Sequence, residues 1–157
     1  MLEEFVKMKS LVGSPGGKIL LKDRIIRYIP EHKVYIELFF GGGQVFFHKK
    51  PSEKEVINDL DPGISFLHRF ARDYTERDYG ELKRYNWSFS KNLFEKLKDS
   101  KPESDTAKFR KLFYLKFWSF NSGGSSPGLS KGRRTAILSK LPKIKERLKD
   151  TIIRNQD

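Results

Sequence analysis

The sequence predicts an α/β fold in which a parallel sheet carries an inserted, mostly helical segment. Three observations lead there. A β-prone apolar run, Val34 to Phe40, ends in three consecutive glycines; Asp61-Pro62 opens a helical pattern directly after a second short apolar run; and a polar, aromatic-bearing middle separates these from a last apolar piece near residue 152. The order is strand, helix, strand, helical insert, strand.

The elements follow in turn. Ile19, Leu20, Leu21, Ile25, Ile26 and Ile29 recur at helical spacing, which predicts an amphipathic helix over 19–29 ended by Pro30. Val34 to Phe40 is almost wholly apolar and predicts a strand buried on both faces. After Gly41-Gly42-Gly43, Val45, Phe46 and Phe47 are consecutive rather than alternating, so a strand passing into a helix fits better than a hairpin. Glu55 to Asp59 reads as the second strand. Asp61 and Pro62 supply a cap and a first helical residue for a helix reaching Tyr74. Residues 75–104 are polar and mostly helical, and Asp105 to Phe120 forms an aromatic-rich helix. Residues 121–134, NSGGSSPGLSKGRR, are a loop with a basic end. Helical residues resume at Thr135, are interrupted by Pro142 and end near Asp150, and Thr151 to Arg154 is strand-like. The predicted divisions are 1–73, 74–134 and 135–157.

Composition narrows the function. A chain of 157 residues holds one core of ordinary size. It has no Cys and three His, His32, His48 and His68, scattered along the sequence, which speaks against a metal enzyme. No apolar run spans a bilayer, and the start MLEEFVKMKS carries acids where a signal peptide is basic, so the expected place is the cytoplasm with no membrane partner. A net charge of +12 favours a polyanionic partner, nucleic acid first, although a well-solvated surface has the same look.

The glycine turn is the first candidate site. Glycines at the end of a parallel strand let a ligand approach the backbone, and Asp59 ends the next strand near the spacing of a carboxylate that binds ribose hydroxyls. Phe46 stands where the dinucleotide fingerprint requires Gly, which argues against NAD and for a nucleoside without pyrophosphate, most commonly S-adenosylmethionine. Three glycines in a row also occur in loops of no function. Upstream, Gly13-Ser14-Pro15-Gly16-Gly17-Lys18 is not a phosphate loop, because Val12 and Ile19 stand where Gly and Ser or Thr are needed. It is either a simple turn or a set of backbone donors with one cation near a helix start, suited to a carboxylate.

Together PGGK (15–18), IELFFGGGQVFF (36–47), INDLDPGISFL (57–67), KFRKLFYLKFWSFNSGG (108–124) and RLKDTIIRNQD (147–157) resemble, in order, the motifs of the Dam-like adenine-specific DNA methyltransferases. The resemblance implies a partial Rossmann-like, S-adenosylmethionine-dependent methyltransferase sheet. It assigns Gly17, Lys18, Glu37, Phe39, Gly41 and Gly43 to the methyl-donor pocket, Asp59 to the ribose hydroxyls and Asp157 to the vicinity of the adenine. For Glu37, a strand-end acid paired with Lys18 or an Arg is the plain structural alternative. The resemblance also assigns double-stranded DNA to the segment 74–134, with Lys131, Arg133 and Arg134 on phosphates and Asn121 and Ser122 near bases. Phe113, Tyr114, Phe117, Trp118 and Phe120 read as core of this segment before they read as stacking platforms.

The family acts on a flipped adenine through an Asp-Pro-Pro-Tyr segment, and these residues contain none. Asp61-Pro62 is followed by Gly63 and Ile64 and reads as a helix cap. The expectation is therefore the donor-binding and DNA-recognition part of an adenine methyltransferase, with no catalytic residue of its own. The catalytic segment would come from a second polypeptide or have been lost by truncation, and self-association is the fallback. The alternative is a non-enzymatic DNA-binding module that keeps the fold.

Overall fold

The structure, a computed structural model, describes residues 8–14, 16–128 and 138–157. Its elements are α1 (Lys22–Tyr28), β1 (Val34–Glu37), β2 (Lys54–Asn58), α2 (Pro62–Asp73), α3 (Glu76–Arg84), α4 (Lys91–Asp99), α5 (Asp105–Phe117), a 3-10 turn (Phe120–Ser122), α6 (Leu141–Leu148) and β3 (Ile152–Arg154). The three described strands form one parallel sheet in the order β1-β2-β3, with Tyr35 opposite Glu55 and Ile57 opposite Ile153. The chain is thus a mixed helix and strand protein built on a small parallel sheet.

Local chemistry explains the helix ends. Asp61 accepts from the Gly63 N–H at 2.7 Å and Pro62 needs no partner for its missing N–H, so α2 starts where the sequence places it. Thr75 and Asp78 close a capping box on α3, and Ser90 and Ser104 cap α4 and α5. Among the described residues, Pro142 follows a turn at 138–140. It occupies the first turn of α6, where no hydrogen bond is lost. The helical start expected at Thr135 lies outside the described residues.

The expectations for the first third need correction. The helix read from Ile19 is a turn until Lys22, and α1 buries none of its residues. Val34 to Phe40 is not a strand buried on both faces. β1 stops at Glu37 and, among the described residues, pairs only with β2; Tyr35 and Glu37 turn inward while Val34, Ile36, Leu38 and Phe39 are exposed. After the glycines there is no helix but one tight turn, held by Phe47 N–H to Gly43 O and Lys49 N–H to Val45 O. Lys49 then turns inward, and Pro51 prevents continuation. At the other end, α5 stops at Phe117, three residues before the expected end, because Ser119 bridges to Pro127.

α2 packs on α5, α6 and β3, covering one face of the sheet. Leu11, Phe46, Phe47, Ile57, Leu67, Phe109, Phe113, Leu141 and Ile144 fill this core. Each large side chain removed from water contributes about 1.5–3 kcal/mol before entropy is counted. A smaller cluster, Phe94, Leu97, Tyr114, Leu115 and Trp118, joins α4 to α5. The core reading of the aromatic helix therefore holds for Phe113, Tyr114, Phe117 and Trp118, whereas Phe120 is exposed.

Candidate methyl-donor site and nucleic-acid interface

The carboxyl ends of the three strands meet at one edge of the molecule. Asn58, the last residue of β2, donates to Leu38 O at 3.2 Å and to Gln156 O at 2.9 Å, and its Oδ1 accepts from the Gln156 N–H. Asn155 donates to Asp59 O and Leu60 O. Two amide side chains thus join the segments that follow β1, β2 and β3. Its signal in the sequence was slight, a polar residue directly after Val56-Ile57.

On this edge Asp59 organises the glycine turn. Its Oδ2 accepts from the Gly41 N–H at 2.6 Å and its Oδ1 from the Asp61 N–H at 2.9 Å. A carboxylate has about four acceptor sites, so capacity for ligand hydroxyls remains. Gly41 and Gly43 have φ of 50° and 64°, in the left-handed region. A side chain on Gly43 would collide with the ring of Phe40, and one on Gly42 would come within 2.5 Å of Val12 O. The Gly42 N–H donates to Ser14 Oγ and the Gly43 N–H to Phe40 O. All three glycine amides are satisfied within the chain, so the turn offers a ligand close approach at half-exposed Gly41, while Gly43 is buried.

Ser14 seats the second glycine loop against this turn. Gly17 and Lys18 are exposed beside it, the Gly17 N–H donating to Ser14 O and Lys18 Nζ to Gly16 O at 3.1 Å. Pro15 lies outside the described residues. Phe39 is 83% exposed, and Asp157 is exposed beyond β3. Glu37 accepts from the Tyr35 hydroxyl at 2.8 Å. Burial pushes its carboxyl up from the ordinary value, while the hydrogen bonds from Tyr35 and the Phe46 backbone act against this. Among the described residues Glu37 has no ion pair with Lys18 or an Arg.

Beneath the site sits His68. It is fully buried between Phe40 and Phe47, its Nδ1 is bonded to Ile64 O at 2.9 Å, and its Nε2 has no partner. Burial holds it neutral, with a pKa lowered to about 4. Behind it, Glu55 is clamped between Arg147, which also reaches Phe46 O, and Lys49, whose Nζ lies 2.5 Å from Oε1. Burial pushes the Glu55 carboxyl up, but these two cations outweigh it and hold it below its usual range.

The candidate nucleic-acid residues divide. Lys131, Arg133 and Arg134 lie outside the described residues. Asn121 is the middle residue of the 3-10 turn. Ser122 is buried and packs on Gly13, which closes off a direct approach to a base in this conformation. Among the described residues no cluster of three potential metal ligands occurs, and no helix is long and apolar enough to cross a membrane.

The chain is 32% identical over 104 residues to a DNA N-6-adenine-methyltransferase of Escherichia phage P1, covering 57% of this chain and 13% of that protein. It is 26% identical over 122 residues to a DNA adenine methylase of Vibrio cholerae, covering 75% of this chain and 43% of that protein. It thus spans less than half the length of either relative. The sequence pattern of the D12 class N6 adenine-specific DNA methyltransferases matches residues 14–126, which include the Ser14 loop, the glycine turn, Asp59 and the aromatic helix. The chain therefore belongs to the D12 class N6 adenine-specific DNA methyltransferase family.

Proposed function

We propose that these residues are the donor-binding and DNA-recognition part of an adenine-specific DNA methyltransferase that uses S-adenosylmethionine. The observation that carries this is the bond from the Gly41 N–H to Asp59, which brings two strand ends to one point beside the Ser14–Lys18 loop. Bound there, S-adenosylmethionine supplies a methyl group on a sulfonium. Asp59 accepts from the ribose hydroxyls, Gly41 gives the nucleoside room, and Gly17 and Lys18 face the carboxylate of the methionine moiety. Phe39 and Glu37 border the pocket, Gly43 shapes the turn from below, and Asp157 borders the adenine.

The Rossmann-like sheet of such an enzyme is larger than three strands. Parallel sheets are normally covered on both faces, yet Val34, Ile36 and Ile152 are exposed here, and β1 has no partner on its outer edge among the described residues. Polypeptide outside these residues, carrying further strands and an Asp-Pro-Pro-Tyr segment, completes both the sheet and the reaction centre. Segment 74–134 faces double-stranded DNA, with Lys131, Arg133 and Arg134 on phosphates, Asn121 near the bases and exposed Phe120 available for stacking.

The net charge of +12 equally favours a DNA-binding module without chemistry. Transfer of labelled methyl separates the two. The chain alone is expected to leave DNA unlabelled. The chain mixed with a polypeptide bearing Asp-Pro-Pro-Tyr and its neighbouring strands is expected to label adenine N6. Formation of the complex without any transfer would favour the binding module.

A further inference from the structure

The parallel register of β1 and β2 sets Val34 opposite Lys54, so that His32 and Ser52, each two residues earlier, face one another at the amino ends of the strands. Ser52 Oγ lies 2.8 Å from His32 Nε2 and 2.8 Å from Lys49 Nζ, and His32 Nδ1 lies 2.7 Å from Pro30 O. The partners dictate where the hydrogens sit. A carbonyl oxygen only accepts, so Nδ1 carries a hydrogen and donates it to Pro30; an ammonium only donates, so Lys49 gives a hydrogen to Ser52 Oγ. In the neutral imidazole Nε2 is then the bare nitrogen, and it accepts the hydrogen of the Ser52 hydroxyl.

The hydroxyl is held from behind. Glu55 Oε1 accepts from the Ser52 N–H at 3.2 Å and from Lys49, and Arg147 grips the same carboxylate. The buried ionic cluster therefore ends on a hydroxyl near the surface: Ser52 and His32 are half-buried and flanked by exposed Glu31, Lys33, Pro51 and Glu53. The proposed donor site lies at the opposite, carboxyl ends of the same strands. A serine bonded to a base, the base oriented through its other nitrogen, and a cation beside the serine oxygen are the parts of an activated nucleophile.

We propose that Ser52 is a nucleophile with His32 as its general base, and that it takes the acyl group of activated esters at the amino-terminal edge of the sheet. As the bond from Ser52 Oγ to the ester carbon forms, the hydroxyl proton passes to His32 Nε2, and Lys49 supplies positive charge beside the reacting oxygen. When the bond to the leaving oxygen breaks, His32 returns the proton to the departing alcohol or phenol. Water then adds to the acyl-serine and gives its proton to His32, which passes it to Ser52 Oγ as the carboxylic acid leaves. This activity is independent of methyl transfer and of the functional reading above.

The test is reaction of the chain with an alkyl fluorophosphonate, followed by intact-mass measurement and peptide mapping. Attack by Ser52 Oγ forms an oxygen–phosphorus bond and expels fluoride, so wild type is expected to gain a phosphonyl group mapped to Ser52. His32→Gln keeps an acceptor for the hydroxyl but cannot take its proton, and is expected to react at least about 100-fold more slowly. Ser52→Ala is expected to stay unlabelled. Should either variant fail to fold by circular dichroism, the position of the label in wild type decides. Wild type without label on Ser52, folded Ser52→Ala labelled to the same extent, or folded His32→Gln reacting at the wild-type rate would overturn the proposal.

Discussion

His68 shows how a single buried side chain ties stability to pH. Its neutral form is held by burial against Phe40 and Phe47 and its pKa is lowered to about 4, the nearby charges of Lys116 and Lys140 acting in the same direction and Asp59 against them. Unfolded, it takes a proton near the ordinary value of about 6.5. The stabilisation is therefore complete above that value and is lost as pH falls from about 6.5 to about 4, a loss on the order of 3 kcal/mol. Replacing His68 by Phe keeps a ring between the two phenylalanines and removes the titrating group. Urea melts at a series of pH values are expected to show a flatter dependence over that window in the variant, and parallel curves would remove His68 as the cause. At this scale the sequence was readable where chemistry is local, as at Asp61, whose cap needs only the next three residues. It was not readable at Ser122, which packs on Gly13, far away in the chain.

At the scale of elements, α6 is docked by an ionic cluster rather than by apolar packing alone. Arg147 bonds Glu55 of β2 across 92 positions, reaches Phe46 O and lies 3.7 Å above the Phe46 ring, while Lys49 closes the other side. Such a cluster resists the loss of one member, because the remaining charge stays buried. Replacing Arg147 by Met is expected to cost about 3–5 kcal/mol in equilibrium unfolding. A cost below about 1 kcal/mol would show that Lys49 alone satisfies Glu55. No sequence pattern announces a pair so distant, just as the apolar composition of Val34 to Phe40 does not reveal how many neighbours the strand has. Composition predicted a buried strand; among the described residues it pairs on one edge only, and Val34 and Ile36 are exposed. Pro142 was hard to place for a related reason, since its effect depends on whether it falls in the first turn or the interior of a helix.

For the molecule as a whole, the parallel sheet brings the Ser14–Lys18 loop, the glycine turn, Asp59 and Asp157 to one edge, while the opposite character appears on the uncovered sheet face with Val34, Ile36 and Ile152. The first is the proposed donor site, and the second is the apolar face that the proposed further strands would cover. The motifs at that edge were legible because each is a short run of residues with backbone demands of its own. That the glycine amides are already satisfied by Asp59, Ser14 and Phe40 was not, because it follows from tertiary contacts.

The most direct measurement is calorimetric titration of S-adenosylmethionine into wild type, Asp59→Ala and Asp59→Asn. Asp59→Asn keeps an acceptor for the Gly41 N–H while removing the charge, which separates loss of the ligand contact from loss of the turn. Charged hydrogen bonds to two hydroxyls contribute about 1.5–3 kcal/mol, so Asp59→Ala is expected to bind roughly 10- to 150-fold more weakly than wild type and Asp59→Asn in between. Equal affinities in all three proteins, or no binding by folded wild type, would contradict the donor site described at Gly41 and Asp59.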